Sequence, residues 1–352
     1  MAFFDFLKDI FSSPLQRKSA PLPRGPVNPR TGQPLPRPVK SPPPAASRPG
    51  LPPLSDEASV AAFLGLTPGK LRWLTTGQER HYHPKTIAKR AGGSRLILAP
   101  KKTLKEAQRT ILRKILDPLP STEACHGFVK KRGIATNAAP HVGKVVVAHY
   151  DLRHFFPTIT RGRVYGLFRR TCGYPHPAAL TLAKLCTFKC RLPQGAPTSP
   201  ALANLVCRKL DARLNGLAKK LGGNYTRYAD DLSLSGDAKF ASSLRIVIPM
   251  LRKIVRGEKF RLAPEKSRIN RRGAAQIVTG LTVNDRVAVP RRKRRLLRAI
   301  VHNCRVKGPE GQNRIKAYNL KATLEGWIGH VKRFHTKEGE RLKAEFSEIR
   351  WT

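Results

Sequence analysis

The chain has 352 residues, of which 68 are Lys or Arg and only 22 are Asp or Glu, giving a formal net charge of +46. With 40% hydrophobic residues it has enough apolar material for one large or two smaller folded units. A basic excess of this size points to a polyanionic partner. Nucleic acid stands ahead of anionic membrane, because no run of about 18 apolar residues is present and the basic residues are spread along the whole chain.

Residues 1–54 differ from the rest: 14 of the 30 prolines lie at or before Pro53. This composition predicts a basic, disordered, Pro-rich extension. Its first residues, with Phe3, Phe4, Phe6, Leu7, Ile10 and Phe11, have the spacing of a short amphipathic helix for a partner, or of a sticky terminus without function. Acidic residues interrupt that apolar opening and no secretory signal pattern is present. With six scattered cysteines, reduced thiols in a cytoplasm are expected. Cys186 and Cys190, downstream of Cys172 and His176, lack the short paired spacing of a zinc site and are expected as buried free thiols.

From Ser55 onward the pattern is mixed α and β. "SDEASVAAFLGL" opens as a helix does, and "SRLILAP" and "KVVVAHYDL" read as strands. "LKEAQRTILRKIL" and "SPALANLVCRKLDARLNGLAKKL" carry the helical apolar period. Two further helical stripes follow, Leu296, Leu297, Ile300, Val301 and Cys304, then Leu320, Leu324, Trp327, Ile328 and Val331. The first belongs to "PRRKRRLLRAI", whose opposite face is densely basic. No internal repeat is present.

The chemistry is carried by scarce carboxylates. "KVVVAHYDLRHFFPTI" places Asp151 directly after a buried-type strand, a position that a helix cap or a strand-end turn also uses. "NYTRYADDLSLSG" sets Asp230 and Asp231 side by side at a predicted hairpin between apolar strand pieces. Neighbouring carboxylates repel and raise one another's pKa unless a cation joins them. Asp151 and Asp230, facing each other across neighbouring strands, would together hold Mg²⁺. Two such ions about 3.5–4 Å apart suit an in-line nucleotidyl transfer.

"GGSRLILAP", "DLRHFFPTI", "LPQGAPTSP" and "YADD", in that order, resemble the reverse transcriptase family from about Ser55 to the C-terminus. "NAAPH" (Asn137 to His141) and "VTGLTVN" (Val278 to Asn284) resemble elements of retron reverse transcriptases. The resemblance implies an α+β right-hand polymerase fold, with fingers and a palm of antiparallel sheet over residues 55–289 and a helical thumb over 290–352. It implies that Asp151 and Asp230 are the principal ligands of two Mg²⁺ ions, with Asp231 in support. Lys266 of "APEKSR" falls near the leaving pyrophosphate, although Ala263 and Pro264 depart from the family's pattern there. Phe156 falls under the sugar of the incoming dNTP, Gln194 lines its pocket, and Arg95 and Lys89 reach its triphosphate.

RNA contacts are implied for Asn137, His141, Val278, Thr279 and Gly280, and for the thumb residues Arg291, Arg292, Lys293, Arg294 and Arg295. The implied reaction copies part of a cognate structured non-coding RNA into single-stranded DNA. Priming from a guanosine 2′-OH would leave a branched RNA–DNA molecule, in anti-phage defence with a separate effector protein. Blander readings stand beside these. Lys89, Arg95 and Lys266 are three among many basic residues, Phe155 and Phe156 suit a core, and Asn137 and His141 suit buried hydrogen bonds in a turn. A group II intron-type enzyme, or an RNA-binding scaffold with a vestigial site, are the competing functions.

Overall fold

A computed structural model describes residues 48–88 and 92–351. Residues 1–47 of the expected 1–54 extension, with its amphipathic start, and Lys89 lie outside the described residues. The end of the Pro-rich stretch rests on the folded body: the Arg48 amide donates to the Cys172 carbonyl at 3.0 Å, and Leu54 is buried.

Local rules set the first elements. Helix α1 (Glu57–Phe63) starts at Asp56, whose carboxylate accepts from the Ser59 amide at 2.7 Å while the Ser59 hydroxyl accepts from the Asp56 amide at 3.0 Å, a capping box. Helix α2 (Pro68–Thr75) has Thr67 as its cap and Pro68 at its first position, where the missing N–H costs nothing. Strands β1 (Tyr82–Ala88) and β2 (Ser94–Pro100) form an antiparallel hairpin with Tyr82 opposite Pro100 and Ala88 opposite Ser94. Helix α3 (Lys102–Ile111) runs into a π-helical turn over Leu112–Leu116. The short helix α4 (Ile134–Ala138) then precedes β3 (Val146–Asp151).

Helices α5 (Phe155–Thr158), α6 (Arg161–Arg170) and α7 (His176–Cys186) follow. The long periodic run after Ser199 forms two helices, α8 (Ser199–Val206) and α9 (Arg208–Lys220), interrupted at Cys207. Strands β4 (Gly223–Tyr228) and β5 (Asp231–Gly236) lead to α10 (Ala238–Ser242) and α11 (Leu244–Gly257). Then come β6 (Arg268–Arg271), the small pair β7 (Ile277–Val278) and β8 (Leu281–Thr282), and three helices, α12 (Arg291–Lys307), α13 (Leu320–Phe334) and α14 (Thr336–Ser347).

The fold is α+β with antiparallel sheets. The central sheet has the order β4-β5-β3-β6. Its strands alternate, so Ala148, Tyr150, Leu232, Leu234 and Tyr225 face one way, into a large apolar cluster shared with Val164, Leu182, Leu210, Leu214 and Leu251. Val147 faces the other way and joins a second cluster with Ala138, Val278, Leu281, Leu297, Ile300, Leu324 and Ile328. Helices α12–α14 and the β7–β8 hairpin are therefore seated on the end of the sheet's second face by ordinary apolar burial.

Both expected C-terminal stripes are inward-facing except at Leu296, which is 36% exposed. Cys186 is buried as expected, whereas Cys190 is exposed. Among the described residues no helix is long and apolar enough to cross a membrane.

Candidate active site

The antiparallel register brings the carboxylates together. In β3–β5 Asp151 lies opposite Asp231, and in β4–β5 Tyr228 lies opposite Asp231. Ala229 and Asp230 are thus a two-residue turn. The strand partner of Asp151 is Asp231 rather than Asp230, which corrects the expected cross-strand pair. Asp230 is held beside it in the turn, its carbonyl accepting from the Leu152 amide at 2.9 Å. Ala229 has φ +56, a left-handed conformation that costs a residue with a Cβ about 1–2 kcal/mol.

A polar frame beneath the turn holds that conformation. Arg227, at 0% side-chain exposure, donates from Nε to Asp211 Oδ1 at 2.7 Å and from Nη2 to Asp211 Oδ2 at 2.8 Å. Its Nη1 donates to the Ala229 carbonyl at 3.1 Å and to Asn204 Oδ1 at 3.0 Å. The Tyr225 hydroxyl and the Thr122 hydroxyl donate to the same Asp211 carboxylate at 3.0 Å and 2.7 Å. A buried ion pair is tolerated only when its remaining lone pairs and protons are satisfied, and here they are. Sequence reasoning missed this frame. Its signals were an Arg on the inward-facing parity of β4, beside Tyr225, and Asp211 as the single acidic residue between Ser199 and Leu221.

The electrostatics are those of crowded anions. Burial first, and then the charges of Asp231 and Asp151, push the Asp230 carboxyl up to about 6. Lys266, in a 3₁₀ turn over Pro264–Lys266, places Nζ 2.8 Å from Asp151 Oδ2, and this hydrogen bond raises the lysine's own pKa. The turn is tied to β3 because the Ala263 amide donates to the Asp151 carbonyl at 2.8 Å. Asp231 Oδ1 lies 3.4 Å from His149 Nε2. Asp151, Asp231, His149 and Lys266 border a cleft of about 500 Å³ whose wall also includes Tyr228, Arg268, Asn270, Thr279 and Gly280.

Crowded carboxylate oxygens are the donor set that a hard divalent cation prefers. No three His, Cys, Asp or Glu side chains among the described residues close into a cage of their own.

The other expected residues fall in different places. Gln194 is half-buried in a loop joined to β2, its carbonyl accepting from the Leu98 amide at 2.7 Å. Arg95 is exposed on β2, opposite Ile87. Phe156 is half-buried against the Phe155 ring, 5.3 Å between centroids.

Burial removes three residues from any RNA-facing surface. Asn137, His141 and Val278 are each 0% exposed. His141 uses both ring nitrogens internally, 2.7 Å from Ser235 Oγ and 2.8 Å from Thr226 Oγ1. Burial, with His126 a smaller cause, pushes this imidazole down to about 3. Thr279 and Gly280, both with positive φ, form the tip of a type I′ turn whose glycine is exposed. Of the basic run, Arg291, Arg292 and Arg295 are exposed. Arg294 instead pairs with Glu338, and Lys293 sits over the Trp327 ring at 4.8 Å from its centroid.

Comparison with known proteins agrees with this geometry. The family model for reverse transcriptase (RNA-dependent DNA polymerase) matches residues 87–295. The Retron Mx65 reverse transcriptase of Myxococcus xanthus is 42% identical over 319 residues, 84% of this chain and 72% of that protein. The Retron Mx162 reverse transcriptase of the same organism is 38% identical over 339 residues, covering 86% and 69% of the two chains. The Retron Ec86 reverse transcriptase of Escherichia coli is 33% identical over 307 residues, covering 85% and 91%. The chain belongs to the reverse transcriptase family and is an RNA-dependent DNA polymerase. Its relatives place it among the retron reverse transcriptases.

Proposed function

We propose that the chain copies part of a cognate structured non-coding RNA into single-stranded DNA at the Asp151, Asp230, Asp231 and Lys266 cluster. Synthesis starts from a guanosine 2′-OH of that RNA and gives a branched RNA–DNA molecule. The observation that carries this reading is the register that gathers three carboxylates at one end of the sheet, with the Lys266 ammonium 2.8 Å from Asp151.

The arrangement of elements supports a right-hand polymerase. Residues 55–289 form fingers and palm, with β1–β2 in the fingers and the four-stranded sheet as the palm, and residues 290–352 form the thumb. Asp151 and Asp230 are the principal ligands and Asp231 supports them. Two Mg²⁺ ions would supply the charge that activates the attacking hydroxyl and stabilises the leaving pyrophosphate. Lys266 offsets the charge of Asp151 and reaches toward that pyrophosphate. The Phe156 ring lies under the dNTP sugar and excludes a ribose 2′-OH, Gln194 lines the pocket, and Arg95 of β2 approaches the triphosphate, with Lys89 as a second cation for it.

The turn tip at Thr279 and Gly280, with exposed Arg291, Arg292 and Arg295, reads RNA by shape and backbone. The setting is cytoplasmic anti-phage defence with a separate effector, for which the N-terminal extension is a docking tether.

The test is to express the chain with its native upstream DNA and extract nucleic acid. A short branched DNA is expected that disappears in the Asp230→Asn, Asp231→Asn double variant. Losing two carboxylates removes several kcal/mol of transition-state stabilisation, on the order of 10³-fold or more in rate. Extension of an ordinary primer without branched DNA would reject retron-type priming, and RNA binding without any synthesis would favour the scaffold reading.

A further inference from the structure

Outside the carboxylate cluster, the loop "GFVKKRG" (Gly127 to Gly133) displays a large aromatic side chain at a cost. Phe128 is 54% exposed, and both Phe128 (φ +59) and Lys131 (φ +62) are left-handed. Strain of that kind persists only where the surroundings over-determine it. Here they do. Asn204 Nδ2 donates to the Gly127 carbonyl at 2.8 Å, and the His126 amide donates to the Arg227 carbonyl at 2.8 Å. Arg132 Nη1 donates to the carbonyls of Thr122, Glu123 and Cys125 at 2.6, 3.1 and 2.7 Å. A Cβ on Gly127 would lie 2.6 Å from the Ala229 amide nitrogen. The loop that presents Phe128 is thus packed directly on the catalytic turn, and Asn204 and Arg227 belong to both frames.

The Phe128 ring centroid lies 6.4 Å from that of Tyr228, which itself lines the catalytic cleft. Phe128 also borders a second cavity of about 250 Å³, together with Pro118, Pro120, Val129, Leu205 and Lys130, whose ammonium lies 3.3 Å from Asp117 Oδ2 at an 86% exposed position. Lys131 is exposed beside it. Exposed aromatic rings interleaved with basic side chains suit single-stranded nucleic acid, because every base has a face to stack and every phosphate a charge to neutralise.

The sheet order separates the two sides. Lys266 lies toward the β6 edge, whereas the segment carrying Phe128 runs along β4, bridged through Cys125 and Arg227. The attacking hydroxyl of the primer belongs with the carboxylates in the cleft, which leaves the β4 side for the complementary strand. A base inside a duplex already has both faces stacked, so an exposed ring has most to offer an unpaired one.

We propose that Phe128 is a stacking platform for an unpaired base of the RNA template ahead of the catalytic turn, with Lys130 and Lys131 on its phosphates. The proposal rests on the polymerase reading above. Its test is equilibrium binding of the full chain to two RNA-template/DNA-primer duplexes, one blunt and one with a short single-stranded template overhang carrying 2-aminopurine at its first unpaired position. The wild-type chain is expected to prefer the overhang by roughly tenfold and to quench the 2-aminopurine. Phe128→Ala and Phe128→Leu should erase both effects while melting at the wild-type temperature, and Phe128→Trp should retain both.

The platform is overturned if Phe128→Ala keeps the overhang preference, or if Phe128→Trp loses it together with Phe128→Ala. Both signals are read from binding alone. Absence of primer extension by the wild-type chain would therefore reject the polymerase reading without being confused with failure of the platform.

Discussion

Two tight hairpins border the same cleft and are held by opposite means. The Ala229–Asp230 turn stands on directional polar bonds, the buried Arg227–Asp211 pair with Asn204, Tyr225 and Thr122 around it. The Thr279–Gly280 turn stands on shape. Val278 and Leu281 are sunk in an apolar cluster, and the polar tie is the Thr279 hydroxyl donating to the Ile134 carbonyl at 3.3 Å. The difference follows from what each turn presents. A carboxylate pressed against two others must be fixed in distance and angle, which hydrogen bonds do and apolar contacts do not. On the proposed function the second turn meets a large folded RNA, and for that it needs only to keep its outline.

The largest effect should come from cutting the polar frame. Arg227→Met leaves the Asp211 carboxylate buried with hydroxyl donors alone, a loss of about 3–5 kcal/mol for a broken buried pair. Urea unfolding measures it. DNA synthesis per folded molecule should also fall, because the Ala229 carbonyl loses its donor and the left-handed residue is free to relax. Replacing both partners, Arg227→Met with Asp211→Leu, should recover part of the stability without recovering synthesis. If synthesis returned with stability, the pair would serve the fold alone and not the placement of Asp230.

A smaller effect should appear on acidification. The segment "NAAPH" is wedged between the hairpins, Ala138 in the apolar cluster with Val278, and His141 bonded to Thr226 on β4 and Ser235 on β5. Burial pushes His141 down to about 3 and His126, where Arg132 contributes too, down to about 4, against an ordinary 6.5. Above 6.5 the ring is neutral in both folded and unfolded chains, so nothing changes there. As pH falls below 6.5 the unfolded chain takes up a proton that the folded chain refuses, and stability drops by about 1.4 kcal/mol per pH unit for each such ring. Between about pH 6.5 and 5 the depressed rings lower unfolding midpoints, while below pH 6 the folded chain also takes up a proton on Asp230, raised to about 6, which offsets part of the slope. The difference between wild type and His141→Gln isolates the His141 share, about 1.4 kcal/mol per pH unit. An unchanged slope in that variant would mean that His141 is not held neutral.

Much of this was legible in the sequence and the remainder was hidden for physical reasons. The helix start in "SDEASVAAFLGL", the strand ending at Asp151 and the hairpin at "YADD" are local patterns, and each formed as read. Arg227 was hidden because one inward-facing Arg looks like any other of 68 basic residues until the register sets it opposite Leu232 on the buried face. His141 and Asn137 were read as RNA contacts through their motif. Their burial is decided by strands that lie far along the chain, Thr226 and Ser235 standing 85 and 94 residues from His141. Arg294 likewise looked like its exposed neighbours until Glu338, 44 residues on, claimed it.

The smallest effect comes from exchanging what each turn uses at its left-handed position. Gly280 has φ +82, and an added Cβ would meet nothing within 4 Å. Gly280→Ala therefore costs only the backbone penalty, about 1 kcal/mol. Ala229→Gly does the reverse. It relieves a similar penalty at φ +56 but gives the unfolded chain more freedom to lose, so its net change should stay within about 0.5 kcal/mol. Synthesis separates the two more sharply than stability does. With Gly at 229 the frame of Arg227 still fixes the turn, and DNA synthesis should remain near the wild-type rate. With Ala at 280 the type I′ turn has no comparable frame to enforce it, and affinity for the cognate RNA should weaken while the rate at saturating RNA holds. The contrast between the two hairpins fails if Ala229→Gly lowers synthesis more than Gly280→Ala weakens RNA binding, for then the polar frame would not be what fixes the catalytic turn.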